Sequence, residues 1–294
     1  GMPRYDDRRA TITSQIEHHA ILHACESIER IGYPVAYLPV DNEGIVSPDI
    51  LSSFITDETR LVSVMLVNNE IGTIEPISEL AKVAHRHGAV FHTDAVQAVG
   101  HIAINVKELG VDMLSASAHK FNGPKGIGFI YIKSGTKIFP YADGGAQEHG
   151  MRAGTENIAS IVGMAAALKK NCDHMDQTQN KLHQLEDKFL DVLKLSGIDF
   201  TRNGSANHIP GNVNVSIRNV SGEMLLHRLD LKGIAISTGS ACDSVNTQVS
   251  HVIQAIRVPK EYAHGTIRVS FGRDNEESDA VEIAKAIVDI LKTK

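Results

Sequence analysis

Residues 115–126 read "SASAHKFNGPKG": small residues, then His119 and Lys120 side by side, then a glycine-rich turn. A lysine placed beyond a strand end, beside a cleft, can form a Schiff base with a carbonyl, and pyridoxal phosphate (PLP) is the commonest such carbonyl. That cofactor needs an acid near its ring nitrogen to keep it protonated and electron-withdrawing. Asp94, in "FHTDAVQ", closes the preceding apolar run and is placed for the task. A flat ring also wants an aromatic cover, and His18 in "SQIEHHAIL" follows another such run. Each residue has a plainer reading: Lys120 as a surface lysine, Asp94 as a cap for the next segment, His18 as a cap or a core hydrogen-bonder.

The elements that would position these groups alternate along the first half. Runs 10–16, 60–67, 89–95, 111–117 and 126–133 read as strands, and 60–67 ("RLVSVMLV") is apolar enough to be buried on both faces. Residues 19–30 read as a helix stopped by Gly32, and Ser78 is expected to cap a helix ending at Gly88. This order predicts an α/β fold: a mostly parallel sheet sandwiched by helices, with ligands beyond the carboxyl ends of the strands. Asn69, Asp94 and Lys120 all fall past such ends. From about residue 171 the pattern changes to a long charged helix (173–196), strands at 211–217, 233–237 and 266–272, and helices at 221–231 and from 276. The chain is therefore expected to form a large domain, 1–172, and a smaller α+β domain, 173–294.

At 294 residues and 42% hydrophobic, the chain can bury a sizeable core. A net charge of −6 offers no basic surface for nucleic acid or anionic membrane. No apolar run reaches the roughly 18–20 residues of a spanning helix. The three cysteines, Cys25, Cys172 and Cys242, show neither a disulfide framework nor metal-type spacing, so no metal is expected and a reducing, cytoplasmic setting is.

Five segments, "VNNEIGTIEPI", "HTDAVQAVG", "SASAHKFNGPKGIGFIYI", "GMRAGTEN" and "STGSACDS", together resemble the NifS/IscS-type cysteine desulfurases, which are class V, fold-type I PLP enzymes. The resemblance spans essentially the whole chain. It implies a PLP-dependent conversion of L-cysteine to L-alanine, with the sulfur passed to an enzyme cysteine as a persulfide. Lys120 resembles the Schiff-base lysine, Asp94 the pyridinium partner, and His18 the residue that stacks on the ring and moves protons. Asn69 and Gln97 match groups around the ring's phenolic oxygen, with Asn69 also facing substrate, while Ser117 and His119 match phosphate ligands. Thr155 matches a phosphate ligand supplied across a homodimer, and Arg268 the fork that holds the substrate carboxylate. Cys242, in its glycine- and serine-rich loop, matches the persulfide cysteine; Cys25 and Cys172 match nothing. An iron–sulfur scaffold or another sulfur acceptor is the implied partner.

Family members carry several tens of further residues before the segment that opens this chain. Those residues include one strand and a glycine turn that grips the cofactor phosphate at a helix N-terminus. "GMPRYDDRRA" does not supply that turn, and Gly1 before Met2 reads as a tag-cleavage remnant. The expectation is a sheet one strand short and impaired activity. Two other functions stay open on sequence: a selenocysteine lyase-type class V enzyme, and a catalytically silent relative that binds or dimerises without turnover.

Overall fold

The computed structural model describes residues 8–238 and 249–292. In chain order the elements are β1 (Ala10–Ser14), α1 (His19–Arg30), β2 (Val35–Leu38), α2 (Pro48–Phe54), β3 (Thr59–Ser63), α3 (Ile77–Arg86), β4 (Val90–Asp94), α4 (Val106–Leu109), β5 (Met113–Ser117) and β6 (Gly128–Ile132). There follow α5 (Ile158–Asp173), α6 (Met175–Leu195), β7 (Phe200–Arg202), β8 (Asn212–Ile217), α7 (Gly222–Asp230), α8 (His251–Ala255), α9 (Lys260–Ala263), β9 (Thr266–Ser270) and α10 (Glu277–Lys292).

The chain separates into two compact units. One comprises the residues up to Leu38, Ser47–Leu66 and Pro76–Asp173; the other comprises Pro39–Val46, Val67–Glu75 and everything from His174. The first unit is built on a six-stranded sheet in the order β2-β1-β3-β4-β5-β6. Every pairing is parallel except β5 with β6. This is the α/β architecture expected from the alternating pattern, with flanking helices. Ile12, Val62, Phe91 and Leu114 bury the strands' apolar side chains, and Leu80 and Ala84 bury one face of α3 against the same core. Gly128 is required where β6 pairs with β5, because a Cβ there would collide with the Ala116 carbonyl oxygen.

The second unit has a three-stranded antiparallel sheet, β7-β8-β9, with α6, α7 and α10 sharing its core. Phe189 of α6 meets Phe271 edge-on, with ring centres 6.0 Å apart. Strand periodicity buries Ile267 and Val269 in that core and turns Arg268 to the opposite face.

Several expectations are corrected. Ser78 does not cap α3; it lies in the first turn, where its hydroxyl donates to the Glu108 carbonyl at 3.1 Å. Regular pairing of the 60–67 run ends at Ser63, although the Val64 and Leu66 amides still donate to the His92 and Asp94 carbonyls. The 233–237 run forms only a single bridge, Ser237 with Arg268. The long charged helix is preceded by a second one, α5, which breaks from α6 at His174.

Candidate active site

Asp94 is the last residue of β4, at the carboxyl end of the parallel strands, and only 7% exposed. Its Oδ1 accepts the Val96 amide at 2.9 Å, closing a turn rather than capping a helix, since 95–100 is not helical. Burial pushes its carboxyl above the usual aspartate range; the Val96 amide and the nearby charges of His18 and Lys120 oppose that shift. These groups therefore lie within electrostatic reach of one another. A desolvated carboxylate at a strand end is a place where a ring cation would be stabilised.

His18 joins both plain and chemical readings. It is the N-cap of α1, and its Nδ1 accepts the Ala20 amide at 3.1 Å. Partial desolvation chiefly lowers its pKa, and the Asp94 charge works against this. The ring is thus held neutral, with Nδ1 occupied as an acceptor and the proton on Nε2. Capping fixes the imidazole's orientation without using the nitrogen that could exchange a proton.

Lys120 sits in a short 3₁₀ turn, Ala118–Phe121, directly after β5. Two side chains clamp this backbone from elsewhere. His101 donates from Nε2 to the Lys120 carbonyl at 2.8 Å, and Asn171 donates to the Phe121 carbonyl at 3.1 Å. Gly100 allows that approach: it has φ +80°, and a Cβ would stand 2.8 Å from Phe121 Cβ. At the entry to the turn, the Ser117 hydroxyl and His119 Nδ1 are 2.8 Å apart. Gln97 is half-buried in the turn after Asp94, and Thr155 is exposed in the loop before α5. That loop carries left-handed backbone at Glu148 (φ 47°) and His149 (φ 56°), a strained conformation for non-glycine residues.

One buried group went unread in the sequence. Glu17, adjacent to His18, is fully buried; its Oε1 accepts from the Ser14 hydroxyl at 2.6 Å and the Met65 amide at 2.9 Å. Burial pushes its carboxyl up to about 8 despite those hydrogen bonds, and the Asp94 charge adds to the rise. A glutamate immediately before a candidate catalytic histidine was the available signal.

The remaining candidates belong to the second unit. Arg268 Nη1 donates to the Asn69 carbonyl at 2.8 Å, and its buried Nε has no hydrogen-bond partner among the described residues. Beside it, burial pushes Glu70 up to about 7, opposed by the Ser250 hydroxyl bond (2.6 Å) and the Arg268 charge. Cys242 lies outside the described residues.

The residues present fit PLP. A buried strand-end carboxylate, a neutral imidazole held edge-on by a helix cap, and a lysine on a clamped turn occur in one unit within mutual electrostatic range. Residues 2–283 match the aminotransferase class-V family, and the chain belongs to it. The family's enzymes are PLP-dependent. A cysteine desulfurase IscS of Dictyoglomus turgidum is 49% identical over 286 residues, covering 96% of this chain and 73% of the relative. A solved NifS-like protein superposes with a TM-score of 0.91 at 34% identity, covering 99% of this chain and 77% of its own. A second solved structure, SspA in complex with cysteine, gives 0.79 at 33% identity, covering 92% and 75%.

Proposed function

We propose that this chain is a PLP-dependent cysteine desulfurase, taking sulfur from L-cysteine and releasing L-alanine. The observation that carries the reading is the buried Asp94 at the end of β4, within electrostatic reach of Lys120 and His18. Relatives named as cysteine desulfurases support it over essentially the full length of this chain. When bound, PLP supplies the conjugated, electron-withdrawing ring that stabilises negative charge at the substrate α-carbon.

The chain's own residues do the rest. Asp94 keeps a negative charge against the ring nitrogen in a dry setting where that charge acts strongly. Lys120 is the attachment residue and is returned to one place by its clamped backbone. His18 covers the ring and exchanges its proton at Nε2. Ser117, His119 and Thr155 hold the phosphate, Gln97 and Asn69 the phenolic oxygen, and Arg268 the substrate carboxylate. The Cys242 thiolate takes the substrate sulfur as a persulfide, for later delivery to an acceptor such as an iron–sulfur scaffold.

A homodimer completes the proposal. Helix α5 has no buried residue although it reads "IASIVGMAAALKK"; Ile158 is 68% and Val162 62% exposed. An apolar face of this kind is suited to a second copy, with Thr155 just ahead of it. A cytoplasmic setting is supported by the free, exposed Cys172 thiol. Among the described residues, no helix is long and apolar enough to cross a membrane.

The test is release of alanine and, with a thiol reductant to discharge the persulfide, of sulfide from cysteine with saturating PLP, with borohydride reduction as a second readout. Lys120→Ala should abolish covalent retention of PLP after reduction, and Cys242→Ala should retain PLP yet release no sulfide. Labelling undiminished in Lys120→Ala, or sulfide release independent of Cys242, would overturn the assignment.

A further inference from the structure

A second group of chemistry-bearing side chains lies wholly within the C-terminal unit. His183 and Glu186 are three residues apart on α6 and so share one face of the helix. The loop between β7 and β8 brings His208 to them. Glu186 Oε2 is 2.9 Å from His208 Nε2 and 3.8 Å from His183 Nδ1, and all three donor atoms lie within 4.8 Å of one another.

The hydrogen bonds around His208 show what this arrangement lacks. Its Nδ1 is 2.9 Å from the Ala206 carbonyl oxygen. A carbonyl only accepts, so Nδ1 carries a proton. In the neutral ring Nε2 is then a lone pair, aimed at a carboxylate oxygen. Two lone pairs do not sit at 2.9 Å without a cation between them. Glu186, only 2% exposed, cannot be relieved by water, and its other oxygen is occupied by the Gly211 amide. What lies between them is either a proton, carried by His208 or by Glu186, or a metal ion.

We propose that His183, Glu186 and His208 bind a divalent transition-metal ion of the zinc class. Two imidazole nitrogens and one carboxylate oxygen suit that class. Donors held at about 2.0–2.2 Å around a tetrahedral ion stand roughly 3.3–3.5 Å apart. The two distances from Glu186, 2.9 and 3.8 Å, bracket that spacing, and the two histidine nitrogens, within 4.8 Å of each other, would close by at most about 1.5 Å. The Nδ1–carbonyl bond of His208 is the outer-sphere contact that orients a ligating histidine. His183 is exposed, which leaves the fourth position to water. The competitor is Arg202, whose Nη2 lies 3.7 Å from the same Glu186 oxygen. The ion would pin the β7–β8 loop to α6 and leave the PLP chemistry to the other residues.

Chelator-treated full chain is titrated with Zn²⁺ by calorimetry, and with Co²⁺ for its visible bands. Both titrations use the Cys242→Ala background, so that the thiol does not compete. One ion per chain is expected, with a higher thermal midpoint when it is bound. His183→Ala, a surface change that spares the fold, should weaken binding by about tenfold or more. Arg202→Gln should tighten it by removing a neighbouring cation. Affinity unchanged in His183→Ala, or no saturable binding in the parent chain, would overturn the proposal in favour of a proton shared between His208 and Glu186.

Discussion

The Nδ1 of His18 accepts the backbone amide of Ala20 at 3.1 Å, so one imidazole both starts α1 and stands at the candidate site. The two roles separate by substitution. Losing the acceptor in His18→Ala should cost about 0.5–2 kcal/mol, the range for an N-cap. His18→Asn restores a capping oxygen but cannot exchange a proton. Thermal melts should therefore place Asn near wild type and Ala below it. Alanine release should fall in both by roughly 10²–10⁴-fold, the usual contribution of a positioned acid–base group. A wild-type rate in His18→Asn would remove the histidine from the chemistry.

Glu17 sets the alkaline limb of stability. The unfolded chain loses this proton near its ordinary pKa of 4.5, whereas the folded chain keeps it to about 8. The folded state therefore binds more protons in that window, and its stability falls as pH rises through it. The loss is complete above about 8. The size is on the order of 3–5 kcal/mol for a group this buried. Glu17→Gln keeps an acceptor for Ser14 and the Met65 amide but cannot ionise. Urea melts should show the variant close to wild type at pH 5 and more stable at pH 8.5. Curves that run parallel from pH 5 to 8.5 would refute a buried, protonated Glu17.

The exposed apolar face of α5 predicts the oligomeric state. Light scattering at micromolar concentration should find a dimer for the wild type. Val162→Glu, which puts an unpaired charge on that face, should give a monomer of unchanged helix content. A variant that remains dimeric would move the interface elsewhere.

Local signals made much of this readable beforehand. Helix α1 follows from the segment that Gly32 stops, and the positions of Asp94 and Lys120 follow from the logic of parallel strand ends. Ser47–Pro48, a cap followed by proline at the first helical position, marks α2, yet its seven residues are too few for periodicity to announce them. "GIAIS" has the strand composition, but pairing depends on a neighbour's register, and only Ser237 finds one. Asn69 follows an N-terminal strand and still groups with the C-terminal unit, because its carbonyl partner is Arg268, 199 residues later. The His183–Glu186–His208 group depends on a loop return that no local window contains.

The clamp on the lysine turn bears on turnover rather than on binding. With the Lys120 carbonyl held by His101 and the next carbonyl by Asn171, the side chain swings from a fixed pivot. With PLP bound, an amine carried on such a pivot would be presented to it from one direction, as in a well-oriented intramolecular reaction. Lys120 would have to yield its place to substrate and reclaim it afterwards. A fixed pivot would favour this amine over water or a stray amine for that place. The loop carrying Gly100 and His101 would thereby bear on how readily the lysine is restored, by way of the Lys120 carbonyl alone.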